Sequence, residues 1–289
     1  MKKVRLDGLN FTFILVAHLL AVAAVVYLAM VEFNWWSVGL GVLYFVCCGL
    51  AITGGYHRLF AHATYEATKP LKLFYLLFGA ASVQNSALKW SSDHRVHHSD
   101  VDTENDPYDI TQGFWWAHIG WVVYKSGRGL ETKRVKDLAR DPLVMWQHKY
   151  WIPIALVMAA IVPALLGMLW GDAIGAMLVA GFLRLVIQWH ATFAINSVAH
   201  WIGSRPYSLD NSARDSWITA LITMGEGYHN FHHRFQADYR NGVRWFHFDP
   251  TKWFVWTMSH VNVTRRLRRA PQEAIEKAKA SVRELQRAA

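Results

Sequence analysis

Four long apolar runs divide this chain. Residues 9–31 are broken only by Asn10, Thr12 and His18, residues 35–53 and 151–170 carry no charge, and residues 173–199 hold a single one, Arg184. Each run reaches the ~20 residues that a helix needs to cross a bilayer. Buried helices of a soluble protein are the alternative, but four uncharged runs of this length rarely coexist in a soluble fold. Segment 71–83 is largely apolar but, at 13 residues, short for a span, and it reads as an interfacial or re-entrant helix. The opening Met-Lys-Lys-Val-Arg resembles a signal-peptide start, yet the apolar run behind it is too long and lacks a small-residue cleavage site. It is expected to stay as the first span. The predicted fold is an all-α integral membrane protein with four transmembrane helices and a helical cap. One membrane domain is expected over 1–262, its cap formed by 57–150 and 200–262, followed by a basic C-terminal helix over 263–289.

Charge adds an orientation. The links at 32–34 and 171–172 contain no Lys or Arg, whereas the N-terminus, the segment 58–149 and everything beyond His200 hold all of them except Arg184. By the positive-inside rule these segments, and both termini, are expected on the cytoplasmic side of a multi-pass protein. The net charge is +9, concentrated near the C-terminus at Arg265, Arg266, Arg268, Arg269, Lys277, Lys279, Arg283 and Arg287. Beside four spans, such a segment reads as a helix on anionic lipid or a plain surface helix, not as a nucleic-acid tail. The same charge suits an acidic electron-transfer partner. Trp35, Trp36, Trp151 and Trp170 stand at span edges, as an interfacial belt would. The only cysteines, Cys47 and Cys48, are adjacent within a span, so there is neither a disulfide framework nor a cysteine zinc signature.

Candidate chemistry lies in the histidines. They cluster as His57-Arg-Leu-Phe-Ala-His62, His94-Arg-Val-His97-His98, Asn196-Ser-Val-Ala-His200 and His229-Asn-Phe-His232-His233. On a helix, positions i, i+3 and i+4 project from one side, so each His-x-x-His-His is expected to bring three imidazoles together. His57 and His62, five apart, do not share a face on a regular helix; either a bend is required, with Gly54-Gly55 as the local freedom, or the two serve different metals. Nine imidazoles exceed the needs of one ion, so two metals with four or five histidines each are expected. Imidazole suits iron, zinc and copper, and iron fits best where dioxygen must be activated against an unactivated C–H bond. Asp93, Glu104, Asp106, Asp109 and Glu226 are candidates to orient the imidazoles through their second ring nitrogen. Asn196, one turn before His200, is a candidate ligand through a water. The isolated His18, His118, His148, His190, His247 and His260 are expected to be structural.

In this order, between four spans, the histidine boxes resemble those of the membrane-bound fatty acid desaturases, most closely the stearoyl-CoA (Δ9) branch. The resemblance extends over about residues 40–249 and includes Gly113-Phe-Trp-Trp-Ala-His-Ile-Gly-Trp121 and Gly225-Glu-Gly-Tyr-His229. It implies a di-iron centre held by His57, His62, His94, His97, His98, His200, His229, His232 and His233, with Asn196 joining through water. Dioxygen is then the co-substrate and a cis double bond the product, expected at Δ9. It also implies a bent acyl tunnel, with Gln84, Trp121 and Thr192 near the kink, Asn85, Asp93 and Lys125 near the thioester headgroup, Phe45 and Gly49 setting the depth, and Trp90 a further substrate-binding residue. Two departures stand out. Ser92 occupies a position where animal acyl-CoA enzymes carry Arg, and Phe193 one where they carry Trp. The first weakens a coenzyme A carrier and leaves acyl-CoA, acyl-ACP and acyl-lipid open. With no haem or ferredoxin domain recognisable in the sequence, electrons are expected from a separate ferredoxin or small haem cytochrome with its reductase. A di-iron fatty-acid or alkane hydroxylase is the alternative enzyme. A histidine-rich metal transporter would want its histidines inside the spans, along a pathway.

Overall fold

The computed structural model describes residues 5–125, 127 and 129–288; the start of the expected N-terminal basic segment lies outside them. Four helices are long and apolar enough to cross a membrane: α1 (Gly8–Met30), α2 (Trp35–Ala61), α5 (Pro142–Trp170) and α6 (Ala173–Trp201). Between the second and third of them lie α3 (Lys69–Ala81) and α4 (Ala87–Asp100). After the last come α7 (Trp217–Ile222), α8 (His229–Arg234), α9 (Pro250–His260) and α10 (Gln272–Ala288). Starts follow local chemistry. The Asp7 side chain accepts from Asn10 N at 3.2 Å, Asn34 from Trp36 N at 2.9 Å, Asp141 from Leu143 N at 3.0 Å ahead of Pro142, and Asp172 from Gly175 N at 2.8 Å.

Two spans run further than their apolar stretches. α2 continues to Ala61, not Thr53, and α5 begins at Pro142, not Trp151. Apolarity marks where lipid is, but the backbone pairing that makes a helix does not stop at that boundary. α5 bends at Tyr150 (φ −114°, ψ 18°), three residues before Pro153, whose ring and missing N–H break the preceding turn. Within the bundle, α6 packs against α1, α2 and α5. Gly181 permits the α5 contact: a Cβ there would stand 2.6 Å from the Ala159 carbonyl oxygen. Arg184, the one charge in that span, is buried. It donates to the carbonyls of Ala180 (2.9 Å) and Ala81 (3.1 Å) and to Gln188 Oε1 (3.3 Å), tying α6 to the end of α3.

Segment 71–83 forms α3, which buries Leu71, Tyr75, Leu76, Gly79 and Ala80 against α2 and α5. It closes a core between the span roots and the cap that includes Tyr56, Phe60, Leu88, Val144 and Val255. A two-residue antiparallel pair, β1 (Glu66–Ala67) with β2 (Thr264–Arg265), ties the chain after α9 back to α2. The basic C-terminal segment is helical only from Gln272, and α10 docks on the cap through Ile275, Ala278 and Val282. These three positions face protein, while Leu285 is exposed.

The opposite end of the bundle hangs on Asp172. Its carboxylate, 2 % exposed, accepts from Tyr27 Oη of α1 (2.9 Å), Ser37 Oγ of α2 (2.5 Å) and Gly175 N of α6 (2.8 Å). Trp170 Nε1 of α5 donates to the same Ser37 hydroxyl at 3.1 Å. Replacing Asp172 by Ala leaves buried donors unpaired and is expected to destabilise the detergent-solubilised protein by roughly 3 kcal/mol. Asp172→Asn, which keeps an acceptor, loses less; thermal melting of the two variants checks the order.

Candidate metal centre

Four pieces of chain converge under the cap. The end of α2 supplies His57 and His62, α4 supplies His94, His97 and His98, the end of α6 supplies His200, and α8 supplies His229, His232 and His233. Residues 51–61 are wound as a π-helix, and the His62 N–H donates to the His57 carbonyl at 3.1 Å. An i→i+5 turn puts residues five apart on one face, so the winding, rather than a kink at Gly54-Gly55, solves the His57–His62 spacing. α8 is entered through Gly225 at φ +99°, where a Cβ would lie 2.7 Å from Asp249 Cα.

The nine imidazoles form two groups: His57, His62, His94, His98 and His232, and then His97, His200, His229 and His233. Within each group the ligand atoms lie within 4.8 Å of one another. Neither His-x-x-His-His box converges on one point, as its spacing suggested. In each, the i and i+4 imidazoles go to one group and the i+3 imidazole to the other. Adjacent helical residues diverge by about 100°, whereas i and i+4 differ by only about 40°, so His97 and His98 cannot aim at the same point. The two boxes interlock, His97 joining His229 and His233 while His232 joins His94 and His98.

The ring nitrogens are arranged for cations. His57 Nδ1 donates to Glu226 Oε2 at 2.8 Å and His97 Nδ1 to Asp106 Oδ1 at 2.9 Å. His200 Nδ1 meets Ser212 Oγ at 2.7 Å, and that hydroxyl donates to Asp102 Oδ1 at 2.5 Å. Each leaves Nε2 as a lone pair aimed into its group. His57 Nε2 faces His232 Nε2 at 2.9 Å and His62 Nε2 faces His94 Nε2 at 2.8 Å, while the buried His97 Nε2 and His200 Nε2 have no hydrogen-bond partner. Facing lone pairs repel unless a cation lies between them. With metal–nitrogen bonds of about 2.1 Å, ligands at right angles sit about 3.0 Å apart, which these separations match. Burial, reinforced by neighbouring imidazoles, holds His62, His94, His98, His229, His232 and His233 well below the ordinary histidine range. At neutral pH they are therefore neutral, the form that binds metal.

The supporting shell was partly invisible in the sequence. Glu226 and Asp106 orient imidazoles, as expected of them. Asp93 instead pairs with Lys89 at 2.5 Å, Asp109 accepts from Thr111 and Gln112, and Glu104 is exposed. Arg58, unremarked beside His57, is 1 % exposed; it donates to Glu226 (2.7 Å), to Asp249 (3.1 Å) and to the Tyr239 carbonyl (2.9 Å). Burial pushes the Glu226 carboxyl up, but Arg58 and His57 outweigh it and hold it at about 2. Asp102, in a left-handed conformation at φ 61°, and Ser212 were likewise missed, because nothing local marks them as partners of His200. Among the isolated histidines, His18, His190 and His118 hydrogen-bond in series at 3.1 and 3.0 Å, linking α1 and α6 to the 116–120 turn.

A cavity of about 530 Å³ runs from this centre between the spans. Gln84, Asn85, Trp90, Asp93, Trp121, Lys125 and Thr192 all line it, as do Asn196, His57, His94 and His229. Gln84 Nε2 donates to Thr192 Oγ1 at 3.0 Å, and Trp90 stacks on His94 at 4.8 Å. Phe45 and Gly49 are not among the lining residues. The α2 side chains at the wall are Ile52 and Thr53, and Met224 fills the space beside Gly49. Ser92 is buried away from the cavity, its hydroxyl accepting from Glu131 N at 3.1 Å.

Residues 33–265 match the family described as "Fatty acid desaturase". The chain is 48 % identical over 238 residues to "Probable acyl-CoA desaturase" of Schizosaccharomyces pombe, covering 82 % of this chain and 50 % of that one. It is 43 % identical over 239 residues to "Acyl-CoA desaturase 1" of Saccharomyces cerevisiae, at 82 % and 47 % coverage. It is also 35 % identical over 251 residues to "sn-1 stearoyl-lipid 9-desaturase" of Anabaena variabilis, at 86 % and 89 %. The chain thus spans about half the length of the two yeast relatives and most of the cyanobacterial one. With the family match covering both histidine groups, this chain belongs to the fatty acid desaturase family.

Proposed function

We propose that this membrane protein is an acyl desaturase, placing a cis double bond in a saturated fatty acyl chain, at Δ9, with dioxygen and two electrons. The observation that carries this reading is the pair of histidine groups at the wall of a cavity that continues between the spans. A centre able to hold two metals at the side of a cavity between the spans suits attack on a C–H bond with no polar handle. Two irons are the ions proposed, in a five-histidine site and a four-histidine site, with Asn196 of the cavity lining proposed as a further ligand through a water. When bound, iron supplies dioxygen activation, which no side chain here can.

The protein's own part is positioning. Glu226 and Asp106 keep His57 and His97 in the tautomer that presents Nε2. The Gln84–Thr192 hydrogen bond fixes a polar point on the wall, where Trp121 and Trp189 shape the path of the chain. The mouth carries Asp7, Lys89, Asp93 and Lys125, the place we assign to the acyl carrier, whether coenzyme A, acyl carrier protein or a lipid. Because Ser92 does not line the cavity, its difference from Arg does not decide among these. Electrons are proposed to come from a ferredoxin or small haem cytochrome, and the cap to face the cytoplasm, by the Lys/Arg distribution.

Expression in a desaturase-deficient host, with gas chromatography of the products, is expected to give a cis-9 monoene. A hydroxylated or unchanged chain overturns the reading. Offering defined acyl-CoA, acyl carrier protein and lipid substrates in parallel identifies the carrier. His97→Ala is expected to abolish turnover and lower the bound metal while leaving the protein in the membrane, read by metal analysis of the purified protein. Glu226→Gln keeps the shape but loses the charge that orients His57, and is expected to cost about 10–100-fold in metal affinity or activity. Thr192→Val removes the Gln84 acceptor; a raised KM and a broadened distribution of double-bond positions are expected from the same product assay.

A further inference from the structure

A second cavity, of about 1040 Å³, lies on the far side of α8 from the acyl cavity, walled by α7, α10 and the loop around Phe246. None of the chemistry above uses it. Its lining is mixed in character. Trp217 and Leu221 of α7 contribute apolar surface, and Arg205, Arg244, Lys279 and Arg283 contribute positive charge, Lys279 and Arg283 standing four residues apart on α10, beside the carboxylates Asp215 and Glu276.

The apolar part lies beside the lipid-facing surface. α7 packs on α6, whose last turn ends at the exposed Trp201 and Ile202. α7 itself leaves Trp217 65 %, Ile218 58 %, Leu221 48 % and Ile222 51 % exposed. A short helix that turns four large apolar side chains outward beside a span end lies at the membrane interface, with tryptophan at headgroup level. The basic residues are short of partners. Lys279 pairs with Glu276 at 2.9 Å, but no carboxylate pairs with Arg205, Arg244 or Arg283 among the described residues. Asp215, also in the lining, is buried, and its carboxylate accepts from Phe231 N at 3.0 Å instead of pairing with an arginine. Within the lining, the buried His247 Nδ1 also has no hydrogen-bond partner. An apolar wall beside the lipid-facing surface, together with three arginines that pair with no carboxylate among the described residues, matches an anionic amphiphile.

We propose that this cavity binds one anionic phospholipid of the adjoining leaflet, its phosphate among Arg205, Arg244 and Arg283 and an acyl tail along Trp217 and Leu221. The site bears on the metal centre from behind. Tyr228, at the cavity wall, directly precedes His229, and Tyr207 packs on Phe231 of α8 at 5.1 Å. A bound lipid therefore braces the helix that carries three of the histidines. The proposal depends on the membrane placement and not on the reaction proposed above.

Native mass spectrometry of the full-length protein from nanodiscs of phosphatidylcholine with phosphatidylglycerol is the test. Preferential retention of one phosphatidylglycerol is expected. The double variant Arg244→Ala/Arg283→Ala, at two exposed positions, should bind it about thirtyfold more weakly, the effect of two interfacial cations. The control Lys277→Ala/Arg287→Ala changes two cations of the same helix that do not line the cavity, and should bind as the parent does. Equal loss in both pairs overturns the proposal, as does equal retention of phosphatidylcholine. Inorganic phosphate alone displacing the lipid at millimolar concentration would reduce the site to a free-anion site. Unchanged lipid retention with lost binding of an acidic redox protein would make this face a protein-docking surface instead.

Discussion

The Arg58–Glu226–His57 chain is the interaction on which the rest of the centre depends. Glu226 sits almost fully buried, where a lone carboxylate is prohibitively costly, and it survives ionised only because Arg58 lies 2.7 Å away. Its other oxygen is then free to fix His57 and to accept from Asn241 Nδ2 at 2.6 Å. Arg58 in turn reaches Asp249, which caps α9 and accepts from the Asn241 and Gly242 amides at 2.9 and 3.1 Å. One buried charge network thus locks the end of a membrane helix to the approach to α8 and to the start of α9. Buried pairs of this kind contribute little net stability, but removing one partner is severe. Their value here is geometric: they hold the imidazoles still.

The membrane half of the molecule solves a different problem with similar means. Lipid offers no partners for polar groups, so the polar side chains inside the bundle bond to one another and to backbone carbonyls. Arg184 is spread over two carbonyls and Gln188, Asp172 collects donors from three spans, and His18, His190 and His118 bond to one another. These fixed points hold the spans in the register that leaves a cavity beneath the histidines. Of the isolated histidines, His18, His190 and His118 form a hydrogen-bonded series between α1, α6 and the 116–120 turn.

Some of this was legible from residues alone. Four apolar runs, the Lys/Arg asymmetry and nine clustered histidines demanded a membrane bundle with a metal-rich end. What misled was reasoning from an ideal helix. The five-residue gap between His57 and His62 reads as a defect until residues 51–61 are seen to be π-wound. The two His-x-x-His-His boxes read as two three-ligand sites until their i+3 members are seen to cross over. Phe45 and Gly49 were placed at the tunnel by resemblance, and it was Met224, from a distant loop, that occupied the space beside Gly49.

Composition and spacing determine what is local: which segments must leave water, which side chains bind metal when neutral, and how residues of one helix are phased. They determined that this chain is a four-span protein with enough imidazole for two ions. The sharing of those imidazoles, five to one group and four to the other, was decided only by tertiary structure. So were the partners of His200, found at Ser212 and Asp102, and the place of Ser92 outside the cavity. The physical reason is the same in each case. Orientation of a ring nitrogen or a hydroxyl is set by what packs against it from elsewhere in the chain, at separations that no short-range pattern encodes.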